Sequence, residues 1–295
     1  MINLADVEAA DRRIDGRIRR TPLVEAGPDR WFKLEYLQHT GTFKTRGMMN
    51  KILGSEVPPA GIVAASGGNA GLAAAYAARR LNVPAEVFVP VTAPAVKVAK
   101  LGKLGARVVQ VGNEYAEAYA AARERTDALF CHAYDDPAMV AGNGTLGLEI
   151  AGRSDTVLVA VGGGGLIAGV IAALRDTAKI VAVEPVTSQA LHAALKNGAP
   201  VDVPVSGVAA DSLGARRVGD IAFALATDAK IESLVVEDDA IVDARKRLWD
   251  DYRIVVEHGT AAAYAALTSG AYRPAPGERV ITLLCGANTN PADLG

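Results

Sequence analysis

The sequence predicts an α/β fold of parallel strand–helix units, and three observations carry that expectation. From residue 62 onward, short β-branched runs alternate with stretches of helical periodicity. Three of those runs end in glycine turns: Ser66-Gly67-Gly68-Asn69-Ala70-Gly71, Gly162-Gly163-Gly164-Gly165 and Cys285-Gly286-Ala287-Asn288. The chain has 295 residues, 50% of them apolar and few aromatic, which suits one large or two interleaved domains with alanine-rich helices packed closely on sheet.

Taken in order, the strand candidates are 62–65, 86–89, 107–111, 129–132, 156–161, 179–183, 232–236 and 280–284. Helical spacing of apolar residues marks 72–80, 95–104, 114–126, 166–175 and 238–250. Upstream, Thr40 or Thr42 is expected to cap a helix running through Met48, Met49 and Ile52. Ser66 or Asn69 is expected to cap the helix at Leu72. Residues 197–218 read as a long loop rich in Gly, Pro and Ser, of the kind that serves a site.

Composition narrows the function classes. The net charge is −2 and no long basic run is present, so neither nucleic acid nor an anionic membrane is an expected partner. Cys131 and Cys285 are far apart in the chain and match no metal or redox spacing, so reduced thiols are expected. The four histidines lack ligand spacing, and no metal site is expected from them. Early acids and the lack of an apolar segment at the N-terminus argue against a secretory signal, giving cytoplasmic residence as the expectation. Two uncharged runs, 57–78 and 156–174, are broken by Pro58-Pro59, Gly67-Gly68 and the four glycines, so they read as buried strand–turn–helix units rather than membrane spans.

The chemistry centres on Lys44. A helix start at its position, the fixed cation of Arg46 two residues on and partial desolvation by Phe43 would all disfavour the ammonium, leaving a nucleophilic amine able to form a Schiff base. The bare amides of Gly162, Gly163, Gly164 and Gly165, placed between a strand and a helix, can converge on a phosphate. The turn Ser66-Gly67-Gly68-Asn69 offers amides, a hydroxyl and a carboxamide to a carboxylate and a phenolic oxygen. A lysine, a phosphate cradle and a carboxylate cradle together point to pyridoxal phosphate. One segment admits another reading: Gly163, Gly165 and Ala168 fit a dinucleotide fingerprint, with Glu184 about 20 residues on as the ribose acid, as in a nicotinamide-dependent oxidoreductase. Lys44 and the Ser66 turn have no part in that alternative.

Ordered over nearly the whole chain, these residues closely resemble the fold type II pyridoxal phosphate enzymes, in particular the serine and threonine dehydratases. The run from Lys33 through Glu35, Gln38, Thr40-Gly41-Thr42-Phe43-Lys44, Arg46 and Gly47 carries the resemblance, followed by Ser66 to Gly71, the four glycines and Cys285 to Asn288. The resemblance implies a two-domain, tryptophan synthase beta-like architecture of open, mostly parallel sheets. Residues 39–138 would form a small domain inserted in a large cofactor-binding domain of 1–38 and 139–295, with the cofactor between them. It also implies a homodimer acting on a small amino acid, eliminating water and then ammonia from L-threonine or L-serine to give 2-oxobutanoate or pyruvate. A serine racemase or a β-replacing synthase is the alternative within the fold.

By the same resemblance, Lys44 holds the cofactor and acts as the base at Cα. Phe43 lies against the ring, Asn69 meets its phenolic oxygen, and Gly162, Gly163, Gly164 and Gly165 hold the phosphate. Ser66, Gly67, Asn69 and Ala70 bind the substrate. Cys285 faces the ring nitrogen, where a neutral thiol leaves the ring a weaker electron sink than an aspartate would. Three positions depart from the family pattern: Gly67 where racemases place a second catalytic serine, Ala287 where glycine is usual, and His258 where proline often follows the glutamate. Near Glu184, Ala190 supplies no second acid, so a carbonyl-bound monovalent cation is a better expectation than magnesium. The chain ends soon after the last strand, and no C-terminal regulatory domain is expected.

Overall fold

The computed structural model describes residues 1–294. In chain order the elements are α1 (Leu4–Ile14), β1 (Leu23–Gly27), β2 (Arg30–Lys33), α2 (Lys44–Leu53), β3 (Ile62–Ala65), α3 (Asn69–Arg80) and β4 (Ala85–Val89). There follow α4 (Ala95–Lys103), β5 (Arg107–Gln110), α5 (Tyr115–Arg123), β6 (Leu129–Phe130), α6 (Pro137–Leu148), β7 (Thr156–Ala160), α7 (Gly165–Leu174) and β8 (Lys179–Pro185). The chain closes with α8 (Ala190–Asn197), α9 (Asp220–Asp228), β9 (Glu232–Val236), α10 (Asp238–Tyr252), α11 (His258–Thr268) and β10 (Val280–Leu283), among shorter helical turns.

The strands form two sheets. A six-stranded sheet has the order β1-β2-β10-β7-β8-β9 and is parallel except for the β1–β2 pair; a four-stranded parallel sheet has the order β5-β4-β3-β6. The larger sheet is covered on both faces, as parallel sheet requires. One face, with Val157, Val159, Ile281 and Leu283, packs on α7 and α9; the other, with Leu158, Phe32 and Val181, packs on α10 and α11. Helix α6 lies between α2 and α7 at backbone contact. A methyl added at Gly47 would stand 2.6 Å from Asn143 Oδ1, and one at Gly169 would stand 2.5 Å from the Gly144 amide, so neither position has room for a side chain. Among the described residues, no helix is long and apolar enough to cross a membrane.

All eight expected strands are present, but several ends and caps differ. Strand β6 stops at Phe130 rather than residue 132, because His132 Nδ1 accepts from the amides of Tyr134 (3.3 Å) and Asp135 (2.8 Å) and turns the chain out of the sheet. The helix expected to begin at 72 begins at Asn69, where the Leu72 amide already donates to Gly68 O at 3.0 Å; its N-cap is Gly68, and neither Ser66 nor Asn69 caps it. Likewise α2 starts directly at Lys44 with Phe43 as N-cap, so neither threonine caps it in the expected way. Thr40 takes a left-handed backbone (φ 62°), and its hydroxyl lies 2.9 Å from that of Thr45. The helix expected over 114–126 ends at Arg123, where Arg125 turns to pair with Asp127 and Glu86.

One buried ionic cluster fixes α2 to the larger sheet and to α6. Arg46 and Glu35 are 0% exposed and Lys33 is 1% exposed. Arg46 donates to both oxygens of Glu35 (2.6 and 3.0 Å) and to Glu149 at 2.8 Å, while Lys33 Nζ reaches Glu149 at 2.5 Å. Thr21 donates its hydroxyl to Glu35 at 2.7 Å and its amide to Glu149 at 3.1 Å. Two cations face two anions, so nothing is left uncompensated. Glu149→Ala is expected to cost about 3–5 kcal/mol in urea denaturation, because it strands charge in the interior. The charge-balanced double variant Lys33→Met/Glu149→Met should cost less than half of that.

Candidate active site

Lys44 reaches the site through a local stitch between two distant loops. The Phe43 amide donates to Cys285 O at 3.0 Å, Thr42 bridges Gly286, and the Ala287 amide donates to Gly41 O at 2.9 Å. This places the first residue of α2 at the carboxyl end of β10, beside the tip of β7 where the four glycines stand. Ligands of open parallel sheets gather at that edge.

The resulting cavity is lined by Phe43, Lys44, Asn69, Gly162, Gly163, Gly164, Gly165 and Cys285, with Tyr134, Ser212, Leu213, Glu257 and Thr260 among the other walls. Lys44 Nζ lies 3.3 Å from Ala133 O and 4.7 Å from the centre of the Phe43 ring. Burial pushes its pKa down to about 8, against the opposing pull of Cys285 and Glu257. The expected contribution of Arg46 is absent. Its guanidinium points away into the cluster with Glu35 and Glu149, which neutralise it, so desolvation alone accounts for the direction of the shift.

Among the described residues, the amides of Gly162, Gly163 and Gly164 donate no hydrogen bond. Protein amides in a partly buried turn rarely go unmatched, so this loop is suited to an external oxyanion at the start of α7. Gly164 has φ +91°, and a methyl at Gly163 would stand 2.3 Å from the Tyr134 ring, so the loop must stay bare. On the wall of the same cavity, Cys285 is buried and its Sγ is 3.3 Å from the Thr260 hydroxyl; burial pushes the thiol up to about 11, so it stays protonated. An anion cradle, a partly neutral amine and a neutral thiol in one cavity fit the phosphate, carbonyl carbon and ring nitrogen of pyridoxal phosphate.

Asn69 sits in a polar clamp. Its Nδ2 donates to both oxygens of Glu257 (3.0 and 2.9 Å), and its Oδ1 accepts from Asn288 Nδ2 at 2.7 Å. Glu257 also accepts from the Asn288 amide at 2.7 Å, and burial raises its pKa. Gly67 lines an adjoining depression with Gly68, Asn69, Lys97, Asp211 and Glu257. Ser66 and Ala70 flank that depression without lining it: the Ser66 hydroxyl accepts from the Gly68 amide at 3.2 Å, and the Ala70 methyl is buried in the core beneath α3. The long loop before α9 supplies Ser212 and Leu213 to the cavity and Asp211 to the depression, as expected of it.

Sequence reasoning did not place Tyr134, Ser212, Leu213, Glu257 or Thr260 in the site. Glu257 carries a signal as the family glutamate that His258 follows, though no site role is drawn from it; Tyr134 carries none, because its place comes from lying across the glycine loop. The dinucleotide alternative loses its acid. Glu184 is 0% exposed, its oxygens accept from the amides of Leu191 (2.8 Å) and His192 (2.7 Å), and burial raises its pKa to about 8. It secures the start of α8 and presents no face to a ribose.

Comparison with known proteins agrees with this geometry. The family model described as pyridoxal-phosphate dependent enzyme matches residues 14–286. The L-threonine ammonia-lyase of Geobacter sulfurreducens is 37% identical over 295 residues, covering 94% of this chain and 73% of that protein. Among solved structures, a T.th. threonine deaminase superposes with a TM-score of 0.89 at 34% identity, covering 98% of this chain and 99% of that one. Maize serine racemase superposes with a TM-score of 0.92 at 28% identity, covering 99% and 95%. The chain belongs to the pyridoxal-phosphate dependent enzyme family.

Proposed function

We propose that this protein is a dehydratase of hydroxy amino acids, converting L-threonine or L-serine to the 2-oxo acid and ammonia. The observation that carries the reading is Lys44, an amine with a pKa of about 8 that shares one cavity with an unmatched amide loop and a neutral thiol. Relatives named threonine ammonia-lyase and threonine deaminase support the substrate class. The division into residues 39–138 and the remainder belongs to the same reading. It is supported by the four-stranded sheet, whose strands all fall between Ile62 and Phe130.

Bound here, pyridoxal phosphate supplies an electron sink for the charge that develops at Cα. The chain's own residues do the rest. Amides of Gly162, Gly163 and Gly164 hold the phosphate end, and Asn69, oriented by Glu257 and Asn288, presents its carboxamide to the phenolic oxygen. Amides of the Ser66 turn, at the start of α3, receive the substrate carboxylate. Lys44 Nζ takes the proton from Cα, a role that its lowered pKa suits near neutral pH. Cys285 Sγ keeps its proton and would face the ring nitrogen without a counter-charge, leaving the ring a weaker electron sink than a carboxylate partner would; the β-hydroxyl leaves as water, with the proton that Lys44 takes from Cα. Gly67 offers no group on the opposite face of Cα.

Turnover of L-threonine and L-serine, read as 2-oxo acid formation, tests the reading directly. Borohydride should leave a pyridoxyl adduct on the peptide containing Lys44, and Lys44→Ala should lower turnover by at least about a thousandfold. Capture of added cofactor by stripped enzyme should speed up about tenfold per pH unit below about pH 8 and level off above it, as the ammonium loses its proton. An adduct on another lysine would overturn the assignment.

Racemisation is the rival outcome, and Gly67 discriminates. A side chain fits there, since a methyl at Gly67 would meet Val89 at 3.6 Å and Lys97 at 4.0 Å in ordinary contact. Gly67→Ser should therefore fold and raise the D-serine fraction, resolved by chiral chromatography, above the small amount formed by the unmodified enzyme. For Cys285, serine should retain activity within about tenfold, whereas Cys285→Asp should slow elimination by about a hundredfold or more. Equal tolerance of both would show that Cys285 only packs.

A further inference from the structure

The reading of Lys44 and the glycine loop as the site leaves one residue beside them unexplained. His132 stands at the end of β6, and its Nδ1 accepts from two successive amides, Tyr134 at 3.3 Å and Asp135 at 2.8 Å. The turn it holds touches the site twice and fastens a neighbouring helix once. Ala133 O is the acceptor for Lys44 Nζ at 3.3 Å. The Tyr134 ring lies over Gly163, and its hydroxyl donates to Arg217 O at 3.3 Å. Asp135 Oδ1 accepts from the Ile221 amide at 3.1 Å, securing the start of α9. We propose that His132 is a positioning residue: as a neutral imidazole it folds the 133–135 turn that aims the Lys44 amine and roofs the phosphate loop.

Two donors converging on Nδ1 fix the tautomer, with the proton on Nε2. Protonation would place an N–H at Nδ1 facing two other N–H groups, so both bonds would be lost together. Every element packed on the ring bears on its charge: α5 contributes Tyr119 and Arg123, β6 contributes Phe130, α2 contributes Lys44, and the turn contributes Tyr134, Asp135 and Asp136. Burial dominates and lowers the pKa below 6.5, assisted by Lys44 and Arg123 and opposed by the two aspartates. A group whose pKa is depressed on folding supports the fold above its unfolded pKa and loses that support as pH falls through the folded value. The turn is thus intact at neutral pH and is released in acid.

Amide hydrogen exchange of the cofactor-loaded enzyme tests this at Tyr134 and Asp135, with protection taken relative to intrinsic rates. Wild-type protection should fall by about tenfold or more between about pH 7.5 and about pH 5. His132→Asn keeps an acceptor near the Nδ1 position that cannot be protonated, so its protection should persist and not change over that range. His132→Phe fills the space without an acceptor; it should lack the protection at both pH values and bind pyridoxal phosphate about tenfold more weakly. Should that variant not fold, the wild-type profile and the asparagine variant decide. Flat wild-type protection, an equal acid loss in His132→Asn, or full protection in His132→Phe would each overturn the proposal. Because exchange reads the turn itself, these results stand apart from the borohydride test of Lys44.

Discussion

Arg46 and its two carboxylate partners set the geometry on which the site depends. The guanidinium is wholly buried, yet it stays charged because Glu35 grips it with two oxygens and Glu149 with a third contact. Each partner comes from a different part of the fold: Glu35 follows β2, and Glu149 ends α6. A bidentate arginine pair tolerates little rotation. The first turn of α2 is therefore fixed in position and roll, and Lys44 lies on that turn.

The same helix end thus handles a buried cation and a half-buried one in opposite ways. Arg46 has matched anions, and its burial is compensated. Lys44 has only a carbonyl and an aromatic ring close to its nitrogen, with Glu257 and Cys285 opposing the shift too weakly to restore the ordinary pKa. An ammonium left short of partners gives up its proton more readily. The reactive amine follows from what surrounds it, and the arginine two residues away serves to anchor rather than to repel.

The sequence revealed those parts of the molecule whose signals are local. Strands such as Ile62–Ala65 and Thr156–Ala160 are unbroken apolar runs, and the glycine turns that follow them mark the site edge. Helix α6 was hard to see although Asp136-Pro137 is a sound helix start, because Gly142, Gly144 and Gly147 read as loop; they are there so that backbones can touch. Strands β1 and β2 were missed because charged residues interrupt their apolar pattern: Glu25 is exposed, Arg30 half-buried and Lys33 a buried cation. Lys44 and the glycine loop stood out from local pattern, and Asn69 and Cys285 from the family resemblance; the structure brings all of them to one cavity. The pairing of Arg46 with Glu149 and the place of Tyr134 were not, since the first joins segments far apart in the chain and the second depends on how two loops face each other.

The stitch between residues 41–43 and 285–287 joins a loop near the start of the chain to the strand near its end. Strand β2 likewise waits for β10, which inserts between it and β7. During synthesis, then, Lys44 emerges well before Cys285 and has no closed sheet edge beneath it until β10 has left the ribosome. Contacts of such long separation form slowly, because loop closure precedes the reward of packing. The nascent chain accordingly carries Lys44 as an ordinary solvated ammonium, and its pKa falls only as the surrounding elements close over it.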